Sequence, residues 1–449
     1  MTARESAWNM LNRINEEGIL CHKALRSLEA DGLSPVDRAL ATRLVHGTLE
    51  RSITIDRVIS HKTGKPVGKL KPRLRNLMRM SVYQLLFLSQ IPASAVCNEA
   101  VKLAKKGGYA GLSGFVNGVL RGLSREVTEA GSGEAYIHLL AASMQAQEAK
   151  SFLHAMPPAF IDYYETNYPS EAEGMFQAFL SEGGISIRLN RSRGTMEELK
   201  ASLDKASIAY RDGLLSNTLY IEKAGNLSTT EGFLRGLFSI QDQSSALAGN
   251  ILPLRAGMKV LDLCAAPGGK SIHVADELSA LGGGSVLARD IAAGKLPRIR
   301  EHIALLSLDN ITVEAGNASV YDQSLSEQFD LVLADLPCSG LGVIGRKPDI
   351  KTKTTLSDIR TLSELQRLIL TSAVRYVKAG GYLCYSTCTV TVEENDRNCD
   401  YIESLGFSRE DFSEKVPASL RKRYQNGRLQ LFPQDGTDGF FAALFRKKE

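Results

Sequence analysis

Two cysteines stand where a thiol can do chemistry. Cys338 follows a proline in Asp335-Leu336-Pro337-Cys338, at the end of the apolar run DLVLA. Cys388 closes Ser386-Thr387-Cys388 after GYLCY, 50 positions further on. A proline-flanked strand end and a polar turn are poor places for core filler. Cys21, Cys97 and Cys384, set in apolar stretches, read instead as small buried hydrophobes. A thiolate is a nucleophile, a second thiol can assist departure of the first, and a nearby carboxylic acid can supply a proton.

A third motif supplies the reaction partner. In VLDLCAAPGGK a hydrophobic run from Val260 enters Cys264, Ala265, Ala266, Pro267, Gly268, Gly269 and Lys270. The paired glycines let backbone approach a ligand, and the helix expected after Lys270 offers unpaired amides to an anionic group. Asp290 ends the next apolar run, where an acid can bond ribose hydroxyls. A glycine turn with a later acid fits NAD, FAD or S-adenosylmethionine, but the loop is not the dinucleotide pattern G-x-G-x-x-G. Asn317 and Asp335 follow two further strands, although Asn317 has a competing reading as a turn or cap residue. A methyl-donor pocket with two thiols and a carboxylate suits methylation of cytosine carbon 5. Thiolate addition to carbon 6, aided by protonation at ring nitrogen 3, makes carbon 5 nucleophilic. The residues alone leave open which cysteine attacks.

Positioning these groups requires strands that end on one edge. KVLDLC, GSVLARD, NITVEAG, DLVLAD and GGYLCYS alternate with helical stretches from about residue 241 onward. That alternation predicts a parallel, doubly wound, Rossmann-like sheet, with ligands at the carboxyl ends of its strands. Upstream, residues 1–125 carry apolar residues at helical spacing and read as an all-α bundle. Residues 126–150 are polar and read as a linker or a lightly packed connecting helix. Residues 151–240 mix helical and strand patterns and read as a small α/β subdomain.

Charge divides the same way. Residues 1–125 hold 20 Lys and Arg against 9 Asp and Glu; the remainder holds 34 and 41. From Arg57 to Arg79 there are eight basic residues and no acidic one. A basic module on a slightly acidic one suits a polyanionic partner, although a solvated charge run looks the same. No apolar run suits a membrane span, and the N-terminal segment lacks an export core, so a cytoplasmic protein is expected. Seven cysteines without paired Cys-x-x-Cys spacing argue for reduced thiols and no metal site.

QDQSSALAG, VLDLCAAPGGK, ADLPCSGLGVIGRKPDIK, LQRLIL, YSTCTV with EEN, and FPQDGTDGFFAALFRK together span residues 241–449. In combination they resemble the NOL1/NOP2/Sun family of RNA cytosine-carbon-5 methyltransferases, and within it the bacterial enzymes of small-subunit (16S) ribosomal RNA. The first 125 residues are similar to the NusB antitermination module, and the segment with Arg188-Leu189-Asn190 resembles the family's RNA-binding subdomain. The resemblance implies S-adenosylmethionine bound by Cys264 to Lys270, Asp290, Asn317 and Asp335. It implies Cys388 as nucleophile, Cys338 as the releasing thiol and Asp335 on ring nitrogen 3. Arg188, Asn190 and Arg346 would contact RNA, and the enzyme would act as a monomer on ribosomal RNA. Two positions depart from the pattern: Asn317 stands for an aspartate, and Gly345-Arg346 for two basic residues. A nicotinamide oxidoreductase would account for the glycine loop and Asp290 but not for the two thiols. A catalytically silent RNA-binding assembly factor would leave the intact cysteine pair unexplained.

Overall fold

The structure is a computed structural model that describes residues 1–27, 32–181, 183–222 and 227–448. The chain divides into two units: residues 1–180 with 344–353, and residues 181–343 with 354–449.

The first unit is helical. Pro72–Phe87 is its central helix, burying Leu74, Leu77, Met78, Val82 and Tyr83 against Ala3–Glu16, Pro35–Glu50, Ser52–Thr63 and Ala93–Lys106. Thr2 and Ser34 cap two of these helices with their side-chain oxygens, and Pro35 occupies a first-turn position that needs no amide. The Trp8 indole donates to the Arg73 carbonyl at 2.7 Å.

The boundaries differ from the sequence reading at three places. Residues 126–150 are no linker: the helix Ser113–Glu129 ends within them, and Gly133–Ala141 and Ala146–His154 follow. Tyr136, Ile137, Ala141 and Phe152 join the same core, and the polar letters lie on exposed faces and in the turn at Gly131. Residues 151–180 also belong to the helical unit, where Tyr164, Phe176 and Phe179 pack ring against ring. Finally, residues 344–353, which follow the Cys338 motif, fold with the helical unit. There Lys351 donates to the Glu50 carbonyl at 2.6 Å, and Asp349 accepts from the Cys21 amide at 3.1 Å.

The second unit contains two sheets. The smaller comprises β1 (Ile185–Leu189), β2 (Tyr210–Asp212), β3 (Thr218–Ile221) and β4 (Phe238–Ile240), antiparallel in the order β2-β3-β1-β4. The larger is built from β5 (Lys259–Asp262), β6 (Ser285–Asp290), β7 (Ile311–Ala315), β8 (Phe329–Asp335) and β9 (Val377–Thr387). These five are parallel in the order β7-β6-β5-β8-β9, so the order reverses direction between β5 and β8. Strands β10 (Phe407–Arg409), β11 (Tyr424–Gln425), β12 (Arg428–Leu431) and β13 (Phe440–Lys447) extend it, with β13 antiparallel to β9. Val and Leu of β5, β8 and β9 are buried on both faces, as helices cover both, while the edge strand β7 is only partly covered. The β8–β9 register sets Asp335 beside Ser386, so both cysteine motifs leave the sheet from neighbouring strand ends.

Candidate active site

β5 ends at Asp262, which is 1% exposed and accepts from Ser271 Oγ and the Cys264 amide. Burial raises its pKa to about 6, against the pull of the Ser271 bond. The chain then turns sharply, with a cis Ala266–Pro267 bond, into the helix Gly269–Ala280. Gly268 has φ of +104°, a conformation that disfavours any side chain. A Cβ on Gly269 would meet nothing within 4 Å, so the helix N-terminus stands open to a ligand. Asp290 ends β6; its carboxylate accepts from Ala266 N at 2.9 Å and Ala292 N at 2.8 Å, which ties the loop to the second strand. Gly316 N donates to the Asp290 carbonyl at 3.1 Å, so Asn317 follows on the same edge. Asn317 is exposed, and its side-chain oxygen accepts from Ser319 N and Oγ, the turn role weighed for it. Together, open glycine backbone, helix amides and the Asp290 carboxylate fit a nucleoside ligand with a charged tail.

Next to this loop the two cysteine motifs converge. Cys338 Sγ and Cys388 Sγ are 3.3 Å apart, both partly exposed and unbridged. Asp335 Oδ2 receives Lys270 Nζ at 2.7 Å, and Oδ1 receives Ser386 Oγ at 2.7 Å. Burial opposes the Lys270 ammonium, but Asp335 outweighs it and holds the pKa above the usual lysine value; Cys388 pulls the same way. Hydrogen bonding to Cys388 and burial drive Cys338 well above the usual thiol range. The third thiol of the site, Cys264, is also pushed up, by burial and then by Asp262, Asp290 and Asp335. Its thiol form is thereby favoured, and it acts as a wall of the loop.

Glycine also explains the C-terminal motif. Gly342 N donates to the Cys388 carbonyl at 3.1 Å, and Gly439 N donates back to Gly342 O at 2.9 Å. A Cβ on Gly342 would lie 2.1 Å from Gly439 O, so the Cys338 loop and the turn before β13 need two bare backbones there.

Two expected RNA contacts lie elsewhere. Arg188 is fully buried and donates to Asp276 at 3.1 Å, Gln241 at 2.8 Å and Asn190 at 2.9 Å. Asn190, also fully buried, donates to the Gly236 carbonyl at 2.9 Å. Arg188 braces the small sheet against the helix Gly269–Ala280 through Asp276, and Asn190 holds Arg188 in place from the end of β1. Arg346 is exposed, but on the segment that folds with the helical unit. Sequence reasoning assigned no role to Asp262, Ser386 or Glu394. An acid inside the apolar run VLDLC was the available signal for Asp262, and the EEN after Cys388 for Glu394.

Five parallel strands reversing at β5/β8, a glycine turn after the first and an acid after the second define a doubly wound α/β domain with a nucleoside-binding edge. The comparisons with known proteins agree. The family model for 16S rRNA methyltransferase RsmB/F matches residues 250–446, and that of the NusB family matches residues 1–125. The probable ribosomal RNA small subunit methyltransferase B of Bacillus subtilis (strain 168) is 34% identical, over 100% of this chain and 99% of that protein. Its namesake from Shewanella oneidensis is 30% identical over 100% of this chain and 99% of the other. Among solved structures, PH0851 superposes with a TM-score of 0.81 at 23% identity, covering 100% of this chain and 99% of its own. NSun6 from Pyrococcus horikoshii, crystallised with SFG, gives 0.58 at 22% identity over 66% of this chain and all of its own. The chain belongs to the RsmB/F family of rRNA methyltransferases, whose methyl donor is S-adenosylmethionine. Among the described residues no helix is long and apolar enough to cross a membrane.

Proposed function

We propose that the enzyme methylates carbon 5 of a cytosine in 16S ribosomal RNA through a covalent cysteine–cytosine adduct. The observation that carries this reading is the 3.3 Å thiol pair beside Asp335, at the strand ends next to the cofactor loop. Cys388 attacks carbon 6 of the target base while Asp335 hydrogen-bonds ring nitrogen 3, which turns carbon 5 into a nucleophile. S-adenosylmethionine, when bound, supplies an electrophilic methyl group on a sulfonium. The Cys264–Lys270 loop orients it, with Asp290 on the ribose and Asn317 near the adenine. After transfer, loss of the carbon-5 proton to a base lets Cys388 depart, and Cys338 assists that release. The base must leave its stack to reach the thiols. Exposed Lys65, Lys69 and Lys71, and Arg346, are the candidate phosphate contacts.

Bisulfite sequencing of total RNA from cells with and without the gene tests the reading. Loss of one protected cytosine in small-subunit rRNA is the expected result. Loss at a cytosine outside that RNA would retain the chemistry and reject the substrate. An unchanged map at every cytosine would remove the proposal.

A further inference from the structure

Glu394 lies six residues beyond Cys388 and is fully buried. Its Oε1 accepts from the Ser339 amide at 2.8 Å and from Gln366 Nε2 at 3.1 Å. Its Oε2 accepts from Ser339 Oγ at 2.6 Å and Thr391 Oγ1 at 2.8 Å. Four neutral donors on two oxygens match an ionised carboxylate, which has no proton to set against them. Ser339 follows Cys338 directly, and its hydroxyl also meets the hydroxyl of Thr389, which follows Cys388, at 2.8 Å. Gln366 extends the clamp by donating to the Pro337 carbonyl at 2.9 Å. The carboxylate therefore fastens Ser339 directly and, through the Ser339 hydroxyl, reaches Thr389, so it acts on the residue after each cysteine.

We propose that Glu394 is a positioning residue that fixes the Cys338–Cys388 contact and keeps the proton of the pair on Cys338, leaving the negative charge on Cys388. The inference rests on the two-cysteine reading above. The charged and titratable groups around the pair are arranged accordingly. Glu394 faces Cys338, where its negative charge discourages loss of the proton, and the Tyr385 phenol beside it is kept neutral by burial; Lys270 faces Cys388, where a positive charge favours the thiolate. The upward displacement of the Cys338 pKa includes a contribution from Glu394, after those of the Cys388 bond, burial and the Cys388 charge.

Full-length Glu394→Gln keeps the shape, removes the charge and turns one acceptor into a donor facing donors. Two quantities are read: kcat and KM on small-subunit rRNA, and the ratio of Cys388 to Cys338 alkylation by iodoacetamide, resolved by peptide mass spectrometry. The expected result is a kcat lowered about 10- to 100-fold with KM for RNA unchanged. The alkylation ratio should fall about tenfold, the equivalent of one pKa unit between the thiols. Glu394→Asp, which retains the charge, should recover part of the ratio. If Glu394→Gln does not fold, judged by binding of S-adenosylhomocysteine, Ser339→Ala takes its place and should lower the ratio in the same direction. A folded variant with wild-type ratio and kcat overturns the proposal. The alkylation ratio requires no RNA, so a wild-type enzyme that makes no 5-methylcytosine would defeat the functional reading while this ratio still judged Glu394.

Discussion

The Lys270 ammonium and the Asp335 carboxylate meet at 2.7 Å, one from the cofactor loop and the other from the end of β8. Ser386 holds the second carboxylate oxygen. Asp335 is thus aimed by two partners before any base arrives, and Lys270 also rests over the Phe440 ring at 5.1 Å. If Lys270 serves by aiming Asp335, Lys270→Met and Asp335→Asn should each lower single-turnover methylation about 100-fold or more. The double variant should then be little worse than either single one, because the two act as a unit. Losses that multiply would mean that Lys270 has a separate task.

The cysteine roles separate by what accumulates. With Cys388 as nucleophile, Cys388→Ala should form no RNA adduct and no product. With Cys338 assisting release, Cys338→Ala should still bond to RNA and accumulate an adduct that survives denaturing electrophoresis. The reverse pattern would exchange the roles, an order that the 3.3 Å spacing permits equally.

Arg188 yields a stability prediction in place of a binding one. Its partner Asp276 is also fully buried and accepts from Ser192 Oγ and the Arg191 and Ser192 amides. Removing one member of a buried pair strands the other charge, at a cost of about 3–5 kcal/mol. Arg188→Met should lower the urea midpoint by a corresponding amount while the folded fraction binds RNA normally. A stable variant with weakened RNA binding would restore Arg188 to the interface.

The strand-end motifs were legible because parallel strands are short apolar runs and their chemistry sits at their last residues. Cys264 to Lys270, Asp290, Asp335, Cys338 and Cys388 needed only the alternation to be brought to one edge. What was illegible depends on long-range partners. The resemblance places Arg188 on RNA, and nothing local contradicts it, because its salt-bridge partner lies 88 residues away. The segment with Arg346 reads as part of the sheet domain because it follows Cys338 in sequence. Its Asp349 and Lys351 instead bond Cys21 and Glu50, more than 300 residues earlier. Residues 126–150 read as a linker because a window of that length samples the exposed side of a helix as readily as a loop.

The basic run is less available to RNA than its composition implied. Arg57, Lys62, Arg75 and Arg79 pair with Glu148, Glu126, Glu16 and Asp56. Lys65, Lys69 and Lys71 are exposed, and Lys71 has its ammonium 6.0 Å from the Tyr109 ring centre. If these three touch phosphates, their joint replacement by Ala should reduce the slope of log affinity against log salt by about 2 to 3. Replacing Lys62, by contrast, should leave that slope unchanged, as its charge is already matched. Equal effects of the two changes would place the RNA on the paired residues.

Lys351 supplies a prediction in pH. It is 1% exposed, and burial lowers its pKa from 10.5 to about 7, against the pull of Glu50 and with the push of Arg51. Between these two values the unfolded chain binds a proton that the folded chain does not. Stability from this group therefore rises with pH across that window and is flat below it. Lys351→Met has no proton to bind there. The unfolding free energy of the wild type relative to Lys351→Met should shift in favour of the wild type from about pH 7 toward pH 10. Taking the difference cancels the titrations that both proteins share. Urea titrations at successive pH values measure it. A difference that stays flat across this window would mean that the lysine stays charged in the fold, with the Glu50 carbonyl, 2.6 Å away, holding an ammonium.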